Sequence, residues 1–346
     1  MHPPDSPPSF VRVRRGGVEE SVHRIHVAVA GPGGRLTSWC GDPGRTTWYR
    51  SAAKPFQALP LVEDGVVDRY GITDAELALC CGSHEGESEH VAAARSILSR
   101  AGLTEEALRC GPHPPFSSRA ARALAERGVH PGRIHNNCSG KHAGMLALAA
   151  AHGWDPEGYH RAGHPVQRRM RDEILRWSGE AEGSVASGVD GCGVLCFAVP
   201  LAAMATSYAR FAVAAREGGA AARVVAAMAD HPFMVGGTGR AGTRVMERTR
   251  RRAFVKLGAE GVYGGGLPGS GRGFAIKVED GGRRAVAPVL VHLLDALGVL
   301  SPGDREALDD LLRPPVTNTR GEEVGVLEVE LALVAEPEPL REPASC

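Results

Sequence analysis

Apolar positions at both ends of the chain alternate with polar ones or run together, which is typical of β-strands. Glycine-rich turns separate several of these segments, so that neighbouring strands can pair as hairpins. The predicted strands are Phe10–Val13, Val22–Ala30, Leu36–Cys40, Phe254–Lys256, Gly273–Glu279 and Val324–Val334.

Between these two ends, apolar residues recur with the 3.6-residue spacing of amphipathic helices. The predicted helices are Asp74–Cys81, Glu87–Ala101, Arg119–Arg127, Gly140–His152, Pro165–Trp177 and Leu201–Glu217, with a later one at Val286–Leu297. This order indicates a mixed α/β (α+β) fold, in which the N- and C-terminal segments form one antiparallel sheet around a large helical insertion. We predict a single discontinuous domain: 1–50 and 241–335 form the sheet, 51–240 is mainly helical, and 336–346 is a disordered tail.

The composition is that of a soluble globular protein. Forty basic and forty acidic residues cancel in a chain of 346 residues, so neither nucleic acid nor a membrane surface is an expected partner. No apolar run approaches the roughly 18 residues of a spanning helix, and the proline-rich start has no apolar signal segment, so we expect a cytoplasmic protein. The eight cysteines are irregularly spaced without a C-x-x-C pair, which favours free thiols.

The first stretch with chemical potential contains Ser51 and Lys54. Pro55 is tolerated only in the first turn of a helix, so a helix should begin near this point. Residues three apart share a helix face, and a lysine with a lowered pKa can then take the proton of the serine hydroxyl. The alternative is a chance S-x-x-K pattern with an exposed lysine.

Four further polar stretches stand out. The segment Cys80–Glu87 carries Ser83, although Ser83 and Glu87 could simply form a helix cap. His135–Met145 contains Cys138, Lys141 and His142, and Gly188–Gly193 contains Asp190 and Cys192; ordinary caps and turns are the alternatives. In Val255–Val262, Lys256 precedes two glycines that clear backbone space, whereas Lys277 fits an edge strand.

The combination of a serine with a lysine three residues later, a second serine and a late K-x-G is the set used by penicillin-binding proteins and serine β-lactamases. Glutaminases of the same fold share this resemblance. Two departures argue against penicillin recognition. His84-Glu85 follows Ser83 where the S-x-N element is expected, and Leu257 replaces the Ser or Thr of K-T-G.

A closer resemblance extends from the N-terminal strands to about residue 300. The motifs R-S-x-x-K-P-x-Q, C-G-S-H-x-G-E, N-N-C-S-G-K-H-A-G-M, G-x-D-G-C-G and K-x-G-A-E-G occur here in that order. They resemble the rhizobial-type (class 3) L-asparaginase family, also labelled asparaginase II. The resemblance implies a serine β-lactamase/glutaminase-like fold and hydrolysis of L-asparagine to L-aspartate and ammonia.

The same resemblance implies specific roles. Ser51 with Lys54 and Ser83 with Lys256 would form two Ser-Lys pairs, with Ser51 as nucleophile and the second pair relaying protons, although the serines could exchange roles. Cys138, Lys141 and Cys192 would bind a zinc ion beside the substrate. Arg50, His142 and Asp190 are our candidates for binding the substrate's charged groups, and we expect a homodimer. The alternatives are a penicillin-type serine acyl hydrolase, a glutaminase, or a non-catalytic zinc-binding scaffold.

Overall fold

The computed structural model describes residues 8–335, so the predicted disordered tail lies outside the described residues. The strands are β1 (Ser9–Arg15), β2 (Val18–Ala30), β3 (Leu36–Cys40), β4 (Thr46–Trp48), β5 (Ala186–Val189), β6 (Leu195–Pro200), β7 (Phe254–Gly258), β8 (Val262–Leu267), β9 (Arg272–Val278), β10 (Pro315–Thr317), β11 (Glu323–Glu330) and β12 (Val334–Ala335). The α-helices are α1 (Lys54–Glu63), α2 (Val66–Arg69), α3 (Asp74–Cys80), α4 (Ser88–Arg100), α5 (Ser118–Glu126), α6 (Ser139–His152), α7 (Pro165–Ser178), α8 (Leu201–Glu217), α9 (Gly219–Asp230), α10 (Pro232–Val235), α11 (Ala241–Thr249), α12 (Arg283–Ala296), α13 (Pro302–Ala307) and α14 (Asp309–Leu312).

The larger sheet joins the two ends of the chain. Its main path runs β10-β11-β1-β2-β9-β8-β7, while β3 pairs with β2 and β12 pairs with β3. The register places Ile25 opposite Val278 and Val27 opposite Ile276, in an antiparallel ladder of buried side chains. The predicted fold class, an antiparallel sheet from both ends with a helical insertion, is confirmed.

A smaller antiparallel sheet, in the order β4-β6-β5, was not predicted. Two of its strands lie in the segment expected to be mainly helical. Their sequences show why: β4 and β5 have three and four residues, too few to display a periodicity, and β6 is a continuous apolar run that fits a strand or a buried helix equally well. This sheet supports the chain just before Ser51, because Tyr49 N–H donates to Phe197 O at 2.9 Å.

Helix α8 packs directly on β8 and β9, and glycines make this close approach possible. A Cβ atom at Gly264 would lie 2.0 Å from the ring of Tyr208, and one at Gly273 would lie 2.0 Å from the backbone N of Ala209. Strand β8 has the sequence VYGGGL and was missed for this reason: glycine is usually unfavourable in strands, and here it serves the packing. Within residues 8–335, no helix combines the length and apolarity that crossing a membrane would require.

We predict that Gly273→Ala destabilises the protein by about 1–3 kcal/mol or more, because the added methyl group would collide with the backbone of α8. Gly269→Ala is the matched control, since a Cβ there has no neighbour within 4 Å. Chemical denaturation of both variants measures the effect. Equal stability of the two variants would show that α8 shifts without cost.

Candidate active site

Ser51 lies on a 3-10 turn, Arg50–Ala53, that leads directly into α1. Arg50 has a φ of 47°, an uncommon conformation for a residue with a side chain. Pro55 occupies the first turn of α1, as predicted, and most of the helix is buried. The turn therefore fixes Ser51 at a junction between the small sheet and a buried helix.

Ser83 lies in the loop after α3. Its backbone N–H donates to Val235 O at 2.8 Å. Gly82 permits a close approach there, because a Cβ at that position would lie 2.7 Å from Met234 O. The Ser83 loop is thus packed against the C-terminal end of α10.

Two lysine amines converge on Ser83. Lys54 Nζ and Lys256 Nζ each lie 2.9 Å from Ser83 Oγ, and both lysines are almost fully buried. Lys54 also donates to Gly82 O and lies 3.3 Å from Cys138 Sγ. Among the described residues, the hydrogen bonds of the Lys54 amine go to these groups instead of the expected partner, Ser51.

The two lysines differ electrostatically. Burial, together with the nearby charge of Lys54, holds the pKa of Lys256 well below its ordinary value, which favours the uncharged, basic form of this amine. Lys54 has three acceptors around its amine. Lys256 contacts Ser83 and also donates to Leu257 O at 2.8 Å. Ser83 therefore lies between two amines with different surroundings.

The structure also brings the three predicted zinc ligands together. Lys141 Nζ lies 3.0 Å from Cys192 Sγ. A hydrogen bond from Cys138 and the charge of Lys141 lower the pKa of Cys192 to about 5 despite its burial, whereas the same hydrogen bond and burial raise the pKa of Cys138 to about 12. Burial alone would lower the pKa of Lys141, but the two sulfur atoms outweigh it and the pKa is raised. The protein thus holds a thiolate, a thiol and an ammonium in contact.

This cluster has the donor chemistry of a site for a soft metal ion. Across residues 8–335, no group of three or more His, Cys, Asp or Glu side chains is arranged to hold a metal. The predicted set contains only two residues of those types, since its third member is a lysine. Beside it, His142 Nε2 is buried and has no hydrogen-bond partner in the described part of the chain. The donors present fit zinc once the Lys141 amine and the Cys138 thiol have lost their protons.

The predicted substrate-binding residues lie elsewhere than in the main cavity. Arg50 Nε pairs with Asp190 Oδ1 at 2.7 Å. His142 is fully buried, and its Nδ1 hydrogen-bonds with Tyr159 OH at 2.5 Å. These contacts order the loops around Cys192 and occupy Arg50 Nε, Asp190 Oδ1 and His142 Nδ1.

The main cavity has a volume of about 570 Å³ and is lined by both Ser51 and Ser83. Its charged lining residues are Arg240, Glu260 and Arg283. Sequence reasoning missed all three, because each lies in a glycine-rich turn or at a helix start where a charged residue is ordinary. Lys277 is directed to Glu260 O and contacts neither serine.

Comparison with known families assigns the chain to a class. Residues 11–329 match the sequence profile of L-asparaginase II, and the chain belongs to the L-asparaginase II family. The predicted family is thereby confirmed. No curated protein sequence matches the chain.

Similarities to solved structures are low. The native form of a protein called Mglu has 16% identity and a TM-score of 0.44, over 81% of this chain and 66% of that one. A β-lactamase from Mycobacterium bovis has 15% identity and a TM-score of 0.35, over 80% of this chain and 95% of that one. The chain spans just under two thirds of the length of Mglu. Similarity at this level carries no argument about the site.

We predict that Lys256→Met lowers kcat/KM for L-asparagine by about 100-fold or more, because it removes a neutral base that contacts Ser83. Lys277→Met is the matched control: it also removes one strand lysine, but one that contacts a backbone carbonyl outside the serine pair. Ammonia release measures both. A larger loss of kcat/KM in Lys277→Met than in Lys256→Met would identify Lys277, instead of Lys256, as the lysine that acts on the serines.

Proposed function

We propose that this protein hydrolyses L-asparagine to L-aspartate and ammonia through a serine ester. The observation that carries the proposal is the contact of two lysine amines with Ser83, each at 2.9 Å, beside a cavity that Ser51 also lines. The family supports the substrate class. Lysine can serve as general base when its pKa is depressed by burial, as that of Lys256 is.

Ser51 is our candidate nucleophile. It lines the cavity at the start of α1, and a backbone N–H at this helix start is our candidate for stabilising the oxyanion. Lys54 donates a hydrogen bond to Ser83, and Ser83 can donate to neutral Lys256. A proton passed along this path ends on Lys256 and leaves Lys54 neutral.

Neutral Lys54 then takes the proton of Ser51 while the serine oxygen bonds to the side-chain amide carbon. The nitrogen of the substrate's side-chain amide then receives one proton from this pair of lysines. The C–N bond breaks, and ammonia leaves. Water attacks the resulting ester, gives its proton to the relay, and releases L-aspartate with free Ser51. The same contacts suit the exchanged roles, with Ser83 as nucleophile and Lys256 as its base.

Zinc is the second part of the proposal, and Cys138, Lys141 and Cys192 would hold it. When bound, it would supply a fixed positive charge that orders the two cysteine loops and attracts the anionic end of a substrate. The Ser-Lys groups already provide nucleophile and base, so we propose an organising role for the metal. The cytoplasmic location and the homodimer stay predictions.

We predict that Ser51→Ala lowers kcat by roughly 1,000-fold or more, because no serine ester can form there. Exposed Ser270 supplies the control variant, Ser270→Ala. Ammonia release from asparagine, glutamine and a chromogenic β-lactam separates the asparaginase from a glutaminase and a penicillin-type hydrolase. No turnover of any of them by wild-type protein would favour a non-catalytic scaffold.

Mass spectrometry of the acid-quenched protein locates the ester. An aspartyl adduct on Ser51 supports the assignment. An adduct on Ser83, with activity retained in Ser51→Ala, would exchange the two serines.

We predict that zinc binding weakens as pH falls, because metal and protons compete for the ligands. The folded-state pKa of Cys192 is depressed from its ordinary value of 9.0 to about 5, so its thiolate is present above about pH 5 and is lost below it. The raised pKa of Lys141 makes proton release from this amine the larger barrier.

Elemental analysis and chelator competition across pH measure this effect. Cys192→Ser should bind less zinc and have a higher KM, while a measurable kcat survives; Cys40→Ser, in β3, is the control. Complete loss of kcat on chelation, restored by zinc, would contradict the organising role. Protein without zinc at any stoichiometry would contradict the site.

A further inference from the structure

An asparagine molecule carries an α-carboxylate, and a binding site for it needs a cation that faces the cavity. Neither Arg50, which pairs with Asp190, nor His142, which is buried against Tyr159, lines the main cavity. The arginines that line the cavity are Arg240 and Arg283. These two arginines differ in the contacts that position their side chains.

Arg240 lies next to the catalytic groups. Besides the main cavity, it lines a second, small cavity of about 20 Å³ whose other lining residues include Ser83, Lys256 and Tyr263. Such a volume holds about one water molecule. Arg240 thus lines the same small cavity as the Ser83–Lys256 pair, and its charge contributes to the lowered pKa of Lys256.

The segment Gly236–Arg240 is held by two glutamates that follow Ser83 in the sequence. Glu87 accepts hydrogen bonds from Thr238 N–H at 2.9 Å and Thr238 Oγ1–H at 3.0 Å. Glu85, whose side chain is 10% exposed, places Oε1 3.2 Å from Arg240 Nε. One motif therefore supplies both a reacting serine and the two carboxylates that position Arg240.

Glycine makes this packing possible at Gly237. Its φ is 120°, and a Cβ there would lie 2.4 Å from Glu85 Cγ. The backbone can therefore approach Glu85 only without a side chain. Burial raises the pKa of the Glu85 carboxyl, and the charge of Arg240 opposes this shift. Arg240 is thus positioned by an ion pair, whereas Arg283 is exposed and has no hydrogen bond or ion pair within residues 8–335.

We propose that Arg240 binds the α-carboxylate of the substrate. Its ion pair with Glu85 engages Nε, and across the described residues its two terminal nitrogens have no hydrogen-bond or ion-pair partner. Those two nitrogens can donate a pair of parallel hydrogen bonds to a carboxylate, the bidentate geometry that arginine favours. This inference rests on the proposed function, since it names the group that orients asparagine for attack.

The test removes the carboxylate from the substrate and the cation from the protein. The compound 3-aminopropanamide is L-asparagine without its α-carboxylate. We expect wild-type protein to prefer asparagine strongly, and Arg240→Gln to raise KM for asparagine about 10- to 100-fold with kcat changed much less. The variant should hydrolyse 3-aminopropanamide as well as wild type does, because the lost contact is absent from that substrate.

Arg283→Gln is the matched control and should keep the wild-type preference. Glu85→Gln should have an intermediate effect, and Arg240→Lys should restore part of the affinity, which keeps the test valid if Arg240→Gln folds poorly. Undiminished preference for asparagine in a folded Arg240→Gln, or equal loss on both substrates, would overturn the inference. Loss of the preference in Arg283→Gln instead would assign the carboxylate to Arg283.

A binding measurement separates this inference from the proposed function. Calorimetry with L-aspartate and with β-alanine, which lacks the α-carboxylate, needs no turnover. If wild type does not hydrolyse asparagine, yet binds L-aspartate in an Arg240-dependent manner and β-alanine weakly, the carboxylate site stands and the reaction fails. Arg240-independent binding of L-aspartate would overturn the site even in an active enzyme.

Discussion

Two amines buried side by side constrain the whole site. A charged amine loses its hydration on burial and must find acceptors or give up its proton, and two charges on one hydroxyl would repel each other. Lys54 is surrounded by a carbonyl, a hydroxyl and a sulfur atom, while burial and the charge of Lys54 lower the pKa of Lys256. The arrangement requires α1, the loop after α3 and β7 to meet at one hydroxyl, and the large sheet and the helices are what hold these elements together.

The sequence was informative where a pattern was long and local. Helices such as α4, α6, α7 and α8 lie within a residue of their predicted bounds, because each shows several turns of regular apolar spacing. Strands β4 and β5 are too short to show a regular alternation of apolar and polar residues. In β8, three adjacent glycines interrupt such an alternation. Those strands exist because of partners far along the chain, which local sequence does not reveal.

The candidate site could be predicted as a set of residues but not as a set of contacts. Spacing of three residues suggested that Lys54 would meet Ser51, yet its amine reaches Ser83, which lies in another segment. Arg50 and Asp190 were predicted to bind the charged groups of the substrate, and the structure pairs them with each other. Residue identity shows which groups are chemically capable, whereas the contacts depend on how distant segments pack.

The pairing of β2 with β9 determines when the proposed site can first form. Val27 lies opposite Ile276, so the central ladder of the sheet joins segments separated by most of the chain. During synthesis, β2 emerges long before its neighbour β9, and the strand that carries Lys256 emerges just as late. A nascent chain therefore exposes an apolar edge of β2 until β9 has left the ribosome, which is a condition under which chains fold slowly and are prone to aggregate. The proposed site can form only after β7 and β9 have joined the sheet.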